Sequence, residues 1–301
     1  MKNNFYQFAF TLVFLLVTNI SIAQNKMVVF QSDFGLKDGA VSAMKGVAME
    51  VSADLKLFDL THEIPAYNIW EAAYRLEQTV SYWPAGTVFI SVVDPGVGTE
   101  RKSIILKTKA NHYFVGPDNG LFTLVAKNEG IAEIREISVA NRLPNSQSSY
   151  TFFGRDVFAY SGAKLASGII DFEEVGEKVA NNQLVILQYP EAKFINGIVF
   201  GGIPVLDIQY GNVWTNIDSK TISNLNVKIG DKLSIKIFEK DKMIYKGNIP
   251  FVHTFGDVKT GETLCYLNSL LNLSLGINMG NFSEKHSVFS GIDWKIEVMK
   301  E

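Results

Sequence analysis

Two carboxylates close apolar strands early in the chain, and an arginine lies within reach of one of them. Met27-Val28-Val29-Phe30 is a short buried-strand pattern that runs into Gln31-Ser32-Asp33-Phe34-Gly35, which sets Asp33 on a turn at a strand's carboxyl end. A second apolar run, from Thr87 to Val93, delivers Asp94 in the same way. Asp94 and Arg101 stand seven residues apart across Pro95-Gly96-Val97-Gly98, a spacing that lets the loop fold back and pair carboxylate with guanidinium. The bland reading of such a pair is a structural salt bridge bracing a glycine-rich loop. Asp33 has a plainer alternative as the N-cap of the next helix, a task for which Asp38 is better placed. A P-loop, an HExxH zinc site, a CxxC pair and a GxSxG elbow are all missing. The histidines are four, His62, His112, His253 and His286, and their scatter argues against a histidine-rich metal centre.

The elements that must position these residues are legible as periodicities. Between Asp38 and Val51 the apolar residues Val41, Met44, Val47 and Ala48 fall at helical spacing, and Leu55 to Leu60 returns to a strand. A second helix is expected over Asn68 to Tyr82, a strand over Thr87 to Val93, a strand pair across Ser103 to Val115, and further strands and helices to about Ala180. This alternation predicts an α/β layered domain with a largely parallel sheet, whose ligands bind beyond the carboxyl ends of the strands. From about Gln188 the texture becomes short β-rich runs: Gly197 to Ile208, Val227 to Phe238, Met243 to Pro250 and Lys295 to Met299. They predict a small all-β, barrel-like domain, with the boundary near Pro190-Glu191-Ala192. A chain of 301 residues, 47% hydrophobic and 20% charged, has material for two cores, here residues 24–190 and 191–301.

Residues 1–23 read as a secretory signal: Lys2, an apolar stretch from Phe8 to Val17, and a small-residue cleavage site at Ser21-Ile22-Ala23. Thr18, Asn19 and Ser21 break the run before the roughly 20 residues a membrane span needs. The expectation is an exported, periplasmic or extracellular protein, without a membrane anchor once the signal is cleaved. The single cysteine, Cys265, cannot form an internal disulfide and sits in the apolar context Leu264-Cys265-Tyr266-Leu267, as a core residue would. A net charge of −3 with no block of like charges makes nucleic acid an unexpected partner.

Several turn-rich segments are more specific than these patterns: Ser32-Asp33-Phe34-Gly35, Asp59-Leu60-Thr61-His62-Glu63-Ile64-Pro65, Val93 to Thr99, Val115-Gly116-Pro117-Asp118-Asn119-Gly120, Gly154-Arg155-Asp156 and Gly211-Asn212-Val213-Trp214-Thr215-Asn216. In order and spacing, from Lys26 to about Gly280, the chain resembles the S-adenosylmethionine (SAM) hydroxide adenosyltransferases, relatives of the SAM-dependent fluorinase and chlorinase. The resemblance implies an N-terminal α/β domain, a C-terminal β-barrel, and a homotrimer with SAM bound between one subunit's N-terminal domain and the next subunit's C-terminal domain. The implied reaction is attack on the ribose C5′ with methionine leaving, giving adenosine when water or hydroxide attacks. A sulfonium leaves as a neutral thioether, so the site must align and strip the nucleophile rather than supply an acid, and neither cofactor nor metal is expected.

The family's roles carry over position by position. Asp33 corresponds to the residue that accepts hydrogen bonds from the ribose hydroxyls, and Tyr67 to an aromatic that packs on the ribose. Asp94 and Arg101 match two members of an Asp-Arg-His triad that holds the attacking water, with Arg101 lending positive charge to a forming hydroxide and Asp94 orienting it. Aspartate at position 94, where the halogenating enzymes have tyrosine, favours the water-using branch. The third member is altered: the family's Thr-Phe-His-Gly-Arg-Asp is Thr151-Phe152-Phe153-Gly154-Arg155-Asp156 here. Phe153 can neither accept a proton nor donate a hydrogen bond, which puts a non-catalytic SAM- or adenosine-binding protein beside the hydrolase as a reading. Gly154 resembles the chlorinase at the halide position, where it is expected to leave more room, and keeps a halide-dependent transfer as a third. His62 is a candidate to replace the missing histidine, against its role in the family scaffold.

In the second domain, Asp207, Tyr210, Asn212 and Trp214 match the family's motif for the methionine end, where a carboxylate, an amide and aromatic faces suit an ammonium and a sulfonium. Without the resemblance, Trp214 reads as core and Gly211-Asn212 as a hairpin turn. For adenine, Phe255 is expected to stack and the segment from Asn268-Ser269 to Asn278-Met279 to supply the edge, with Leu270 and Ile277 replacing polar or basic residues of the halogenating enzymes. Asp118 and Asn119, following Pro117, read as turn scaffold.

Overall fold

The computed structural model describes residues 25–301. The expected signal sequence, residues 1–23, lies outside them.

The first core is built on a seven-stranded sheet in the order β2-β1-β3-β5-β4-β6-β7. Strands β1 (Met27–Ser32), β2 (Lys56–Thr61), β3 (Val88–Val92) and β5 (Tyr113–Pro117) run parallel. The sheet is extended antiparallel by β4 (Ser103–Thr108), β6 (Ile131–Glu136) and β7 (Lys178–Val179). The parallel character expected from the sequence thus belongs to the half that carries Asp33 and Asp94. Val28 and Phe30 turn to one face and Val29 to the other, and helices bury both faces, so the strand is a continuous apolar run. On the Val28 face lie α1 (Ala40–Val51), through Met44 and Ala48, and α4 (Tyr160–Ser167), through Ala163 and Leu165. On the Val29 face lie α2 (Ile69–Val80), through Ala72 and Leu76, and α3 (Thr123–Glu129), through Val125 and Ala126. Asn68 caps α2, its side chain accepting from the Glu71 N–H at 3.0 Å, and Asp38 accepts from the Ala40 N–H at 2.9 Å at the start of α1.

The second core lies between two antiparallel sheets. One has the order β10-β11-β15-β14, built from β10 (Val205–Asp207), β11 (Asn212–Asp218), β14 (Thr263–Leu267) and β15 (Asn272–Ile277). The other has the order β13-β12-β16-β9-β8, built from β8 (Lys193–Ile195), β9 (Ile198–Ile203), β12 (Lys232–Glu239), β13 (Lys242–Pro250) and β16 (Gly291–Lys300). Val213, Leu273 and Leu275 from the first meet Val199, Ile235 and Ile296 from the second, with Cys265 fully buried among them. Burial pushes the Cys265 thiol up to about 12, which keeps it an inert core group. Two short helices, α5 (Ser219–Ser223) and α6 (Phe282–His286), close the ends. Among the described residues no helix is long and apolar enough to cross a membrane.

The two cores touch along α2. Trp70 Nε1 donates to the Pro204 carbonyl at 3.2 Å and Arg75 Nη2 to the Leu206 carbonyl at 2.8 Å, around a small cluster of Ala73, Tyr74, Leu124 and Val205.

Candidate active site

Asp33 follows the end of β1, half-buried, and one of its oxygens is already engaged: Oδ2 accepts the Tyr67 backbone N–H at 2.9 Å. Tyr67 holds a left-handed backbone (φ 69°) that costs a non-glycine residue about 1–3 kcal/mol, and its ring is 72% exposed. The aromatic is thus fixed beside the carboxylate with its ring largely exposed, while Asp33 Oδ1 takes no hydrogen bond among the described residues.

Asp94 follows β3 in the same layer. Its side chain is 7% exposed and pairs with Arg101 Nη1, while the Gly96 N–H donates to the same oxygen at 3.2 Å. Burial pushes the Asp94 carboxyl above its ordinary range, and Asp33 nearby adds to the push; Arg101 and the Gly96 N–H oppose it without cancelling it. Glycines make the loop's path passable. A β-carbon on Gly96 would come within 2.5 Å of the Arg101 guanidinium, and one on Gly98, at φ 78°, within 2.5 Å of the Tyr150 carbonyl. The Asp94 loop is thereby seated against the segment that leads to Phe153. Asp118 and Asn119 hold its ends: Asn119 Nδ2 donates to the Val93 carbonyl at 2.8 Å and the Asp118 N–H to the Lys102 carbonyl at 2.9 Å.

Phe153 stands at the start of a π-helical turn, Gly154–Ala159, that continues into α4. Its ring packs partly buried against the first core, and the Arg142 guanidinium covers it at 4.9 Å from the centroid. Arg142 is held by Ser146 and Ser149, with Nε to the Ser146 hydroxyl at 3.1 Å. No motif singled out Arg142; an arginine in a polar loop carries no periodic signal. Gly154 does not open a cavity. A β-carbon there would lie 3.3 Å from Phe34, 3.4 Å from Met44 and 3.4 Å from Phe152, so the room expected beside it is occupied. Arg155 is spent on Asp156, fully buried, with Nε to Oδ1 at 2.6 Å. His62 is 3% exposed with both ring nitrogens engaged, by Ser32 and by Asp59, and faces no open site.

In the second domain a cleft of about 710 Å³ is lined by Asp207, Tyr210, Asn212, Phe255, Asn278 and Met279, with Tyr266 beneath. Asn212 Nδ2 donates to Asp207 Oδ2 at 3.1 Å, and this fixes the amide so that Oδ1 is buried with no partner. Gly276 makes the space: a β-carbon there would lie 2.6 Å from Asn212 Oδ1 and 3.0 Å from the Phe255 ring. An orphan acceptor therefore sits beside the Phe255–Tyr266 aromatic pair, whose centroids are 4.9 Å apart. Burial pushes the Tyr266 hydroxyl up to about 12, so it stays a neutral donor. Two named residues lie elsewhere. Trp214 does not line the cleft itself: it stands behind it, across Ser274 from Tyr266 and beside the Tyr266 hydroxyl, its indole packed toward the contact between the two cores. Ser269 is exposed in the turn between β14 and β15, at the opposite end of that hairpin from Asn278 and Met279. Asn278 spends its amide on the Val258 carbonyl at 2.8 Å.

The cleft borders only residues 207–281, and none of Asp33, Asp94, Arg101 or Phe153 lines it. A single chain thus carries a half-site of charged residues on the layered domain and a separate aromatic half-site on the β domain.

A parallel-sheet domain with carboxylates at its strand ends, joined to an all-β domain with an aromatic cleft, defines a two-domain class of small-molecule enzymes. Models of the SAM hydroxide adenosyltransferase N-terminal domain and C-terminal domain match residues 28–176 and 201–295, and the chain belongs to that family. It is similar to the (R)-S-adenosyl-L-methionine hydrolase of Methanocaldococcus jannaschii, at 35% identity over 86% of this chain and 90% of that one. The fluorinase of Actinopolyspora mzabensis is 26% identical over 90% of this chain and 96% of its own. Among solved structures, an uncharacterized conserved protein from Thermotoga maritima superposes with a TM-score of 0.82 at 36% identity, covering 91% of this chain and all of that one.

Proposed function

We propose that this chain hydrolyses SAM to adenosine and L-methionine by in-line attack of water or hydroxide on the ribose C5′. The observation that carries the reading is the Asp94–Arg101 pair: a nearly buried carboxylate with an arginine on it, at a strand end beside Asp33. Such a pair can orient a water molecule while the guanidinium favours its ionised form, and burial strips competing solvent. Asp33 Oδ1 and Tyr67 would take the ribose. The orphan acceptor Asn212 Oδ1, beside Phe255 and Tyr266, matches the exocyclic amine and face of adenine, and this reading moves Asn212 from the methionine end to the base. Asp207 and Tyr210, at the same cleft, remain for the methionyl ammonium and sulfonium.

The two half-sites do not share a cleft within one chain, which supports the arrangement the family resemblance implies: a homotrimer whose complete site pairs one chain's Asp94 loop with its neighbour's β-domain cleft. No cofactor enters the reaction, and the protein acts after export. Relatives carry the name of the (R) sulfonium epimer. An exported enzyme meets SAM that has had time to lose its configuration at sulfur, and we assign the (R) epimer as substrate.

Phe153 sustains a second reading. With an arginine over its ring and no polar atom, it removes the general base and leaves the ligand contacts intact, as in a protein that binds SAM or adenosine without turning it over. The close packing on the β-carbon side of Gly154 counts against a halide pocket there and leaves that reading third. The purified mature chain, incubated with each SAM epimer with and without chloride, separates the readings by mass-resolved chromatography of the nucleosides beside a calorimetric titration. Adenosine formed independently of chloride establishes the hydrolase; tight binding with no product establishes the binding protein; a chlorinated nucleoside overturns both.

A further inference from the structure

Behind Asp33 runs a line of side chains for which the reaction above has no use. Lys45 Nζ donates to Asp59 Oδ2 at 2.6 Å, Asp59 Oδ1 faces His62 Nε2 at 3.0 Å, His62 Nδ1 faces Ser32 Oγ at 2.7 Å, and Ser32 Oγ accepts the Phe34 N–H at 3.3 Å. The order serine, histidine, aspartate is that of a hydrolase triad, but Ser32 is fully buried and its oxygen is turned to the backbone, so it cannot meet a substrate. The ends dictate where the protons sit. An ionised carboxylate only accepts, so His62 Nε2 carries hydrogen; in the neutral ring Nδ1 then accepts from the Ser32 hydroxyl, whose lone pairs are left for the Phe34 N–H.

The line ends on the turn that carries Asp33. Ser32 precedes it, Phe34 follows it, and the next residue, Gly35, donates its N–H to the His62 carbonyl at 2.8 Å. His62 therefore holds the Asp33 turn twice, by its ring through Ser32 and by its own backbone. The segment after His62 supplies the Tyr67 N–H that binds Asp33 Oδ2. Gly35 adopts φ 66°, so the turn has a conformation that local chain preference does not hold in place.

We infer that Lys45, Asp59, His62 and Ser32 form a positioning array that fixes the Asp33 carboxylate for a ribose cis-diol, and thereby makes the site select ribonucleosides over deoxyribonucleosides. His62 is a positioning residue in this array and touches no ligand. The inference rests on the proposed role of Asp33 at the ribose.

The test compares calorimetric affinities for adenosine and 2′-deoxyadenosine in the purified chain and in Ser32→Ala, His62→Gln, Asp59→Asn and Asp33→Asn variants, with thermal unfolding of each. The unaltered chain is expected to prefer adenosine by about tenfold, the worth of a charge-assisted hydrogen bond. Ser32→Ala and His62→Gln should shrink that preference to about twofold while leaving 2′-deoxyadenosine affinity nearly unchanged, and Asp59→Asn should fall between. A merely structural role would weaken both nucleosides together and keep their ratio; that outcome, or an unchanged preference in folded Ser32→Ala, overturns the array. If the unaltered chain shows no preference and Asp33→Asn changes nothing, the role of Asp33 itself fails and the array falls with it.

Discussion

The two half-sites of this chain are built on opposite principles. On the layered domain, the proposed reacting groups sit at strand ends: Asp94 and Arg101 share a glycine-permitted turn, seated at Gly98 against the segment that leads to Phe153. On the β domain, recognition groups lie on paired strands or their ends, with Asn212 locked by Asp207 and its free oxygen aimed beside an aromatic pair. A partly buried ring at the rim of a core can replace an imidazole of similar shape with little cost in packing, whereas a buried amide in a sheet costs free energy when its partner or its ligand is lost. The chemistry can therefore drift at Phe153 while the binding surface stays intact.

The sharpest way to break this division is to remove Asp94. Asp94→Ala should lower kcat by about a hundredfold to a thousandfold, the worth of one preorganised group at the reacting centre, while a calorimetric titration shows SAM affinity little changed. Loss of affinity of the same size would mean that Asp94 binds rather than reacts. Asn212→Ala should do the reverse, weakening adenosine and SAM binding by about tenfold to a hundredfold with kcat at saturation retained, as measured by the same titration and by initial rates.

Restoring histidine at 153 sharpens the loop side of the comparison. Phe153→His should raise kcat by about tenfold, short of the full range for a general base because the Arg142 guanidinium over the ring disfavours the imidazolium. No gain would count against an otherwise competent Asp94–Arg101 pair. The pH profile reads the same pair more gently. Because burial raises the Asp94 pKa, the carboxylate is lost as pH falls through a value above the ordinary 3.8, and the acid limb of kcat/KM should lie above that value. An acid limb at or below 3.8 would detach the limb from Asp94.

A control comes from a pair in the layered domain that is remote from ligand chemistry. His112 Nδ1 meets the Glu129 carboxylate at 3.0 Å, with side chains 6% and 11% exposed. Burial pushes the imidazole down, but Glu129 and the Trp83 carbonyl outweigh it and raise its pKa; Glu129 is lowered in turn, His112 outweighing burial. The histidine's contribution to stability is complete below 6.5 and lost as pH rises through its raised folded value. The glutamate's is complete above 4.5 and lost as pH falls through its depressed one. His112→Gln should lower Tm by about 2–4 °C near pH 6, with a smaller effect well above neutrality, and leave kcat unchanged. An equal loss at all pH values would show that the ion pair does not supply the stability.

How far the fold was legible depended on period. Val41, Met44 and Val47 mark α1, and the apolar runs that form β1 and β3 carry Asp33 and Asp94 to their strand ends, because strand extent and helix phase are set by local spacing. The β14–β15 hairpin was not separated from its turn, and Ser269 was grouped with Asn278 and Met279, because the linear string does not show that a strand puts them at opposite ends of the hairpin. The contribution of Arg142 was equally invisible, since a cation over a ring is a contact between segments with no pattern of their own.

By itself the sequence determined the elements of the layered domain that carry Asp33 and Asp94, the spacing that lets Asp94 meet Arg101, and the phenylalanine at 153, all of them consequences of residue type and short-range periodicity. Only the tertiary structure decided that His62 turns inward to hold Asp33, that the space at Gly154 is filled, and that the charged and aromatic half-sites lie apart within one chain. Those outcomes depend on which distant segments pack together, and packing is settled by the burial of whole faces rather than by any short stretch of chain.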